Sequence, residues 1–115
     1  MAGDAEPGPG VGETESILQE AERLVAGARN AAYGPPERDY AKTGMIWGAL
    51  LHRWAQAAAA SPTPIPVPAR LACLCMIGVK LSRECNQHHR DNLVDAAGYA
   101  ACAQRCAETE RHGQQ

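Results

Sequence analysis

The residues with the most chemistry in them lie between positions 80 and 95. On a helix, Lys80, Arg83, Glu84 and Gln87 fall on one face, at steps of three, one and three. Asp91 and Asp95 are four apart and stack on one face of the segment that follows, with Asn92 three residues before Asp95. Gly98 and Cys102 continue that face. Carboxylates that meet across a helix pair make a hard-oxygen site. Mg²⁺ or Mn²⁺ is held by one or two such groups, and substrate phosphates complete its coordination. Such a metal neutralises phosphate charge and lowers the pKa of a bound water. Lys80 and Arg83 supply cations for phosphate oxygens, Arg83 with bidentate geometry. Together these parts describe nucleotide phosphate hydrolysis without a phosphate-binding loop. The same residues also have plain structural uses. Asp91 suits a helix N-cap, Lys80 and Glu84 suit an i,i+4 surface pair, and Asp95 suits a solvated position.

Other groups are weaker pointers. His88-His89-Arg90 is a cationic corner that suits a phosphate, a partner subunit or an exposed turn. Trp47 and Trp54 suit stacking on a base, and equally a core or an interface. The five cysteines are Cys73, Cys75, Cys85, Cys102 and Cys106. Cys102 and Cys106, one helical turn apart, could clip a metal with His88 or His89, but no zinc-type spacing is present and small buried thiols explain them better. Their odd number argues against a disulfide framework.

Elements to position these residues can be read along the chain. Residues 1–14 are rich in Gly and Pro and predict a mobile tail. Residues 15–112 then form one domain, which suits a chain of 115 residues. Ile17, Leu18, Ala21, Leu24 and Val25 make an apolar stripe for a helix running to about Ala28, with Gly27 and Gly34 bracketing its end. Tyr33-Gly34-Pro35-Pro36 is a turn, and Pro36 suits the first turn of a second helix reaching about Ala60. Tyr40, Trp47, Leu51 and Trp54 share one face of it. Prolines at 62, 64, 66 and 68 exclude helix and central strand and predict a stiff extended link. A third helix follows over about Ala69 to Asn86, apolar on most sides and therefore buried. A fourth begins near Arg90 or Asp91 and ends near Arg111. The fold class is all-α: a compact bundle of four main helices.

Composition excludes some classes of function. Lys and Arg number 11 against 13 Asp and Glu, a formal charge of −2, which opposes binding to nucleic acid by bulk charge. No apolar run approaches the roughly 20 residues of a membrane span, so no membrane partner is expected. The start of the chain has neither a basic n-region nor an apolar h-region, and a cytoplasmic location is expected. Two Trp and an apolar third helix are hard to cover in so small a chain, so a homo-oligomer is expected, most simply with C2 or D2 symmetry.

Two stretches carry a family resemblance. The first is Ala32-Tyr33-Gly34-Pro35-Pro36 followed by Tyr40 and Trp47, preceded by Leu18 to Ala21 and by Arg29. The second is Lys80-Leu81-Ser82-Arg83, then His89-Arg90-Asp91-Asn92-Leu93-Val94-Asp95-Ala96-Ala97-Gly98-Tyr99-Ala100. Over residues 16–104 the chain resembles the phage-borne branch of the MazG-like all-α nucleotide pyrophosphohydrolases. The resemblance implies homodimers or homotetramers that use Mg²⁺ or Mn²⁺ to split a nucleoside triphosphate into monophosphate and pyrophosphate. In the phage branch it points to a purine deoxynucleotide, with dGTP converted to dGMP in a phage nucleotide-pool pathway in the host cytoplasm.

Residue by residue, Asp95 matches the Asp of the group's E-x-x-D helix, and Asp91 the earlier acidic position of the phage branch. Glu84 matches one acid of the E-E-x-x-E motif, and Lys80 the Lys that often precedes it. Glu84, Asp91 and Asp95 are thus implied as metal ligands, with Glu84 and Asp95 catalytic. Lys80, Arg83 and Asn92 are implied on the substrate, and Tyr33 or Trp47 against its base. The chain departs from the pattern where Arg83 and Gln87 replace two acids and Asn92 stands where Glu is usual. Either Asp91 compensates, or an acid from Glu37 or Asp39 joins the site, with Glu37 kept as a weak candidate ligand, or activity is reduced.

Overall fold

The computed structural model describes residues 14–113, so the expected tail over 1–14 lies almost wholly outside the described residues. Five helices follow one another, and no strand occurs among the described residues. Helix α1, Ile17–Ala26, starts at a capping box: Ser16 Oγ accepts from the Gln19 amide at 3.2 Å, and Gln19 Oε1 accepts from the Ser16 amide at 2.9 Å. Glu15 and Arg23 brace this start at 2.8 Å. The first helix ends at Gly27, close to the expected end near Ala28, where the backbone leaves helical geometry. A short α2, Ala28–Tyr33, which the apolar pattern does not predict, follows it.

Gly34 ends α2 with φ +79°, a left-handed conformation that side chains with a Cβ rarely adopt. A Cβ there would also lie 3.0 Å from Asn86 Oδ1, whose amide nitrogen donates to the Ala32 carbonyl at 3.0 Å. The turn is thereby docked on the far end of the third long helix. Pro35 and Pro36 open α3, Pro36–Ala59, with Pro36 at the first helical position where no N–H is needed. The proline ladder of 61–68 is non-helical. Helix α4, Ala69–Asn86, and helix α5, Arg90–Gly113, are joined by three residues, which forces them antiparallel.

Helix α4 is the centre. It lies between α3 and α5, and α2 packs on it as well. Three rungs tie α4 to α5: Arg70 to Glu110 at 3.5 Å, Lys80 to Asp95 at 3.0 Å, and Glu84 to Asn92 at 3.0 Å. On its other side, Trp47 Nε1 of α3 donates to the Cys75 carbonyl at 2.7 Å, and Lys42 Nζ donates to the Ser82 carbonyl at 2.9 Å. Gly78 is what lets α3 approach: a Cβ there would lie 2.8 Å from Ile46 Cγ2 and 3.5 Å from Trp47 Cδ1.

The interior is polar for a helical domain. Among the described residues only Cys75 and Ala103 are buried apolar side chains. Asp39, Thr43, Lys80, Ser82 and Asn92 are buried beside them. Ile17 is 86% exposed, Leu18 78% and Met45 79%, so much of the apolar surface finds no cover within one chain. All five cysteines are free thiols, and burial pushes the Cys75 thiol up in pKa. No helix among the described residues is long and apolar enough to cross a membrane.

Candidate functional site

Two polar clusters flank α4, one on each side. The first sits on the α4/α5 seam and takes in four of the predicted site residues, Lys80, Glu84, Asn92 and Asp95. Glu84 Oε1 accepts from Asn92 Nδ2 and from the His89 amide, both at 3.0 Å, and Glu84 Oε2 bonds His88 Nδ1. These donors, Asn92 foremost and then His88 and the His89 amide, hold the Glu84 carboxyl down at about 2. It is ionised throughout the neutral range and is a poor proton acceptor there, so its chemistry is that of a fixed negative charge. One helical turn back, Lys80 Nζ meets Asp95 Oδ2 at 3.0 Å. The Lys80 side chain is 6% exposed and that of Asp95 31%. Asp91 lies exposed in the first turn of α5, where the helix dipole favours a carboxylate.

The structure thus brings Lys80, Glu84, Asn92 and Asp95 to one seam. It does not gather the implied metal ligands. No group of three His, Cys, Asp or Glu capable of holding a metal ion occurs among the described residues. Both oxygens of Glu84 already accept bonds, and Asp95 is engaged by Lys80. The oxygen donors are the right kind for Mg²⁺ or Mn²⁺, but their placement within one chain does not fit the ion. The Cys102/Cys106 clip with His88 or His89 is likewise not assembled.

The second cluster lies between α2, α3 and α4. At its centre is Asp39, only 1% exposed although it stands in the first turn of α3. Its Oδ2 lies 3.7 Å from Arg29 Nη2 and 3.9 Å from Arg83 Nε. Ser82 Oγ donates to the Asp39 carbonyl at 3.1 Å and lies 3.4 Å from Oδ1. Arg83 stacks on the Tyr33 ring at 4.2 Å from its centroid, and Arg29 stands 5.2 Å from the same ring and 5.1 Å from that of Tyr40. Arg29 Nη2 also bonds the Tyr40 hydroxyl.

Arg83 and Tyr33 therefore belong to this cluster and not to the seam. Trp47 packs between α3 and α4 over Gly78. Glu37 is exposed at the start of α3. The residues that pattern reading under-weighted are Arg29, Ser82 and above all Asp39. Arg29, Tyr33 and Tyr40 at spacings of four and seven were the available signal; nothing local marks Ser82 as their neighbour.

The family model of a domain of unknown function, DUF6378, matches residues 16–107, which takes in both clusters and all five helices up to the last turns of α5. The chain belongs to the DUF6378 family. It is also similar to the Gene 55 protein of Mycobacterium phage D29, at 34% identity over 102 residues. That match takes in 88% of this chain but 60% of the phage protein, so the chain spans less than two thirds of its relative's length. No solved structure matches the chain.

Fixing Glu84 by three donors has a measurable consequence. A carboxyl held at about 2, against an ordinary 4.5, adds stability that is fully present above pH 4.5 and is lost as pH falls towards 2. Acid titration of the helical circular dichroism should show unfolding developing across that window. Glu84→Gln, which cannot titrate, should flatten it; an unchanged acid limb in the variant would refute the assignment.

Proposed function

We propose that this DUF6378 domain hydrolyses a nucleoside triphosphate to the monophosphate and pyrophosphate in the presence of Mg²⁺ or Mn²⁺, with a purine deoxynucleotide such as dGTP as the favoured substrate. The observation that carries the reading is the α4/α5 seam, where Glu84 of α4 and Asp95 of α5 are each fixed by a partner on the facing helix, in rungs one turn apart along α4. A divalent ion, when bound, would supply phosphate neutralisation and an activated water. Among the described residues Glu84, Asp91 and Asp95 do not form a three-ligand set within one chain. What the chain's own residues do is hold charge in place. Asn92 and the His89 amide orient Glu84, and Lys80 orients Asp95. Arg83 carries positive charge next to the seam in sequence.

The reading includes assembly as a homodimer or homotetramer. The exposed Ile17, Leu18 and Met45 side chains support it, as does a described interior in which only Cys75 and Ala103 are fully buried apolar side chains, because a partner subunit would cover more of the apolar surface. The test is incubation of the chain with each dNTP and Mg²⁺ or Mn²⁺, with products resolved by chromatography. Formation of monophosphate and pyrophosphate is the expected result, and no turnover of any nucleotide rejects the reading.

A second reading is favoured by the ungathered carboxylates: a non-catalytic helical module for nucleotide sensing or assembly. Calorimetry separates the two, because a sensor binds nucleotide without hydrolysing it and an assembly module does not bind it.

A further inference from the structure

We propose that Arg29 and Arg83, spread over Tyr33 and held by the buried Asp39, form a binding site for a phosphoanhydride oxyanion on the α2/α3/α4 side of the domain. The inference deepens the proposed function by moving its polyphosphate contact off the α4/α5 seam. Three observations carry it.

The first is charge. Arg29 and Arg83 flank a single carboxylate, leaving a local surplus of one positive charge in a chain whose net charge is −2. The second is unused hydrogen-bonding capacity. Arg83 Nε is a buried donor without a hydrogen-bond partner, and the nearest carboxylate oxygen, Asp39 Oδ2, stands 3.9 Å away. A buried polar atom without a partner is costly, and such atoms concentrate at sites completed by something else. Arg29 gives one bond, to Tyr40, from a guanidinium that carries five N–H groups. The third is preorganisation. Both guanidiniums lie over the Tyr33 ring, at 5.2 and 4.2 Å from its centroid, and Asp39 Oδ2, within 4 Å of each, keeps the two cations from separating. Two planar forks held close together match the spread oxygens of a phosphoanhydride better than a single ammonium does. Lys80, by contrast, is buried and already paired with Asp95.

Asp39 is the positioning residue of this site and does not touch the ligand. The arginines remain partly accessible, with side chains 20% and 14% exposed.

The test uses inorganic pyrophosphate as the probe and the full chain, titrated by calorimetry in EDTA so that no metal takes part. Saturable binding is expected. Arg29→Gln and Arg83→Gln should each weaken it by about tenfold or more, the ratio for losing hydrogen bonds to a charged group. Arg29→Lys, which keeps the charge beside Asp39 if the glutamine variant does not fold, should weaken it too, because the fork is lost. Arg70→Gln removes an arginine at the other end of α4 and should leave binding unchanged. Absence of saturable binding overturns the proposal, as does an equal loss in Arg70→Gln, which would mark a general charge effect. Wild-type binding by Arg29→Lys overturns it as well. Pyrophosphate binding without dNTP turnover would reject the hydrolase reading and leave this site standing. Turnover without pyrophosphate binding would do the reverse.

Discussion

Asp39→Ala should cost about 3–5 kcal/mol of unfolding free energy, the range for removing one partner from a buried charge network. Two arginine side chains, 20% and 14% exposed, depend on this carboxylate for countercharge. Ser82 Oγ would keep the backbone carbonyl of residue 39 but lose the neighbouring Oδ1. The loss is large against a total stability of about 5–15 kcal/mol for an ordinary domain. It is larger still in relative terms here, because among the described residues only Cys75 and Ala103 are buried apolar side chains. Asp39→Asn keeps the shape and removes the charge, so it should fall between wild type and Asp39→Ala. Urea denaturation followed by circular dichroism measures both. A change within about 0.5 kcal/mol for Asp39→Ala, the range of ordinary surface substitutions, would show that the cluster contributes little.

That cluster also shows where sequence reading stops. Local chemistry was legible wherever the cause was local. The prolines at 62, 64, 66 and 68 forbid a helix, Pro36 starts one, and the all-round apolar pattern of 71–79 belongs to the helix that lies between two others. The end of the first helix was legible at Gly27, but α2 was not, because residues 28–33 carry no apolar stripe of their own to mark a helix. Asp39 is harder. It stands with Glu37 and Arg38 in a charged first turn, the kind of stretch that is ordinarily solvated. Its burial is decided by Ser82, forty-three residues away, which faces α3 because it falls on the side of α4 opposite Lys80. For the same reason Arg83 and Glu84, neighbours in sequence, serve different clusters. Spacing placed Lys80, Glu84, Asn92 and Asp95 on facing helices, but it could not say that they would bond one another.

The mutual bonding matters for any test of the hydrolase reading, and it sets the second large effect. Asp95→Asn alone should both stop turnover and destabilise the fold by about 2–4 kcal/mol, somewhat below the range for a fully buried pair because Asp95 is 31% exposed. The destabilisation arises at Lys80, whose buried ammonium loses its partner. Loss of activity in this variant would therefore be ambiguous. Lys80→Met with Asp95→Asn removes both charges and keeps the side-chain volumes close, a change that is often near neutral in stability. The double variant should recover most of the lost stability and remain inactive on dNTPs, since the negative charge of Asp95 is still absent. Recovery of turnover together with stability would mean that Asp95 acts only as a counter-ion for Lys80. Failure to recover stability would mean that the seam is held by something other than this ion pair. Paired measurements of urea midpoint and nucleotide turnover on the two variants separate a chemical role for Asp95 from a structural one.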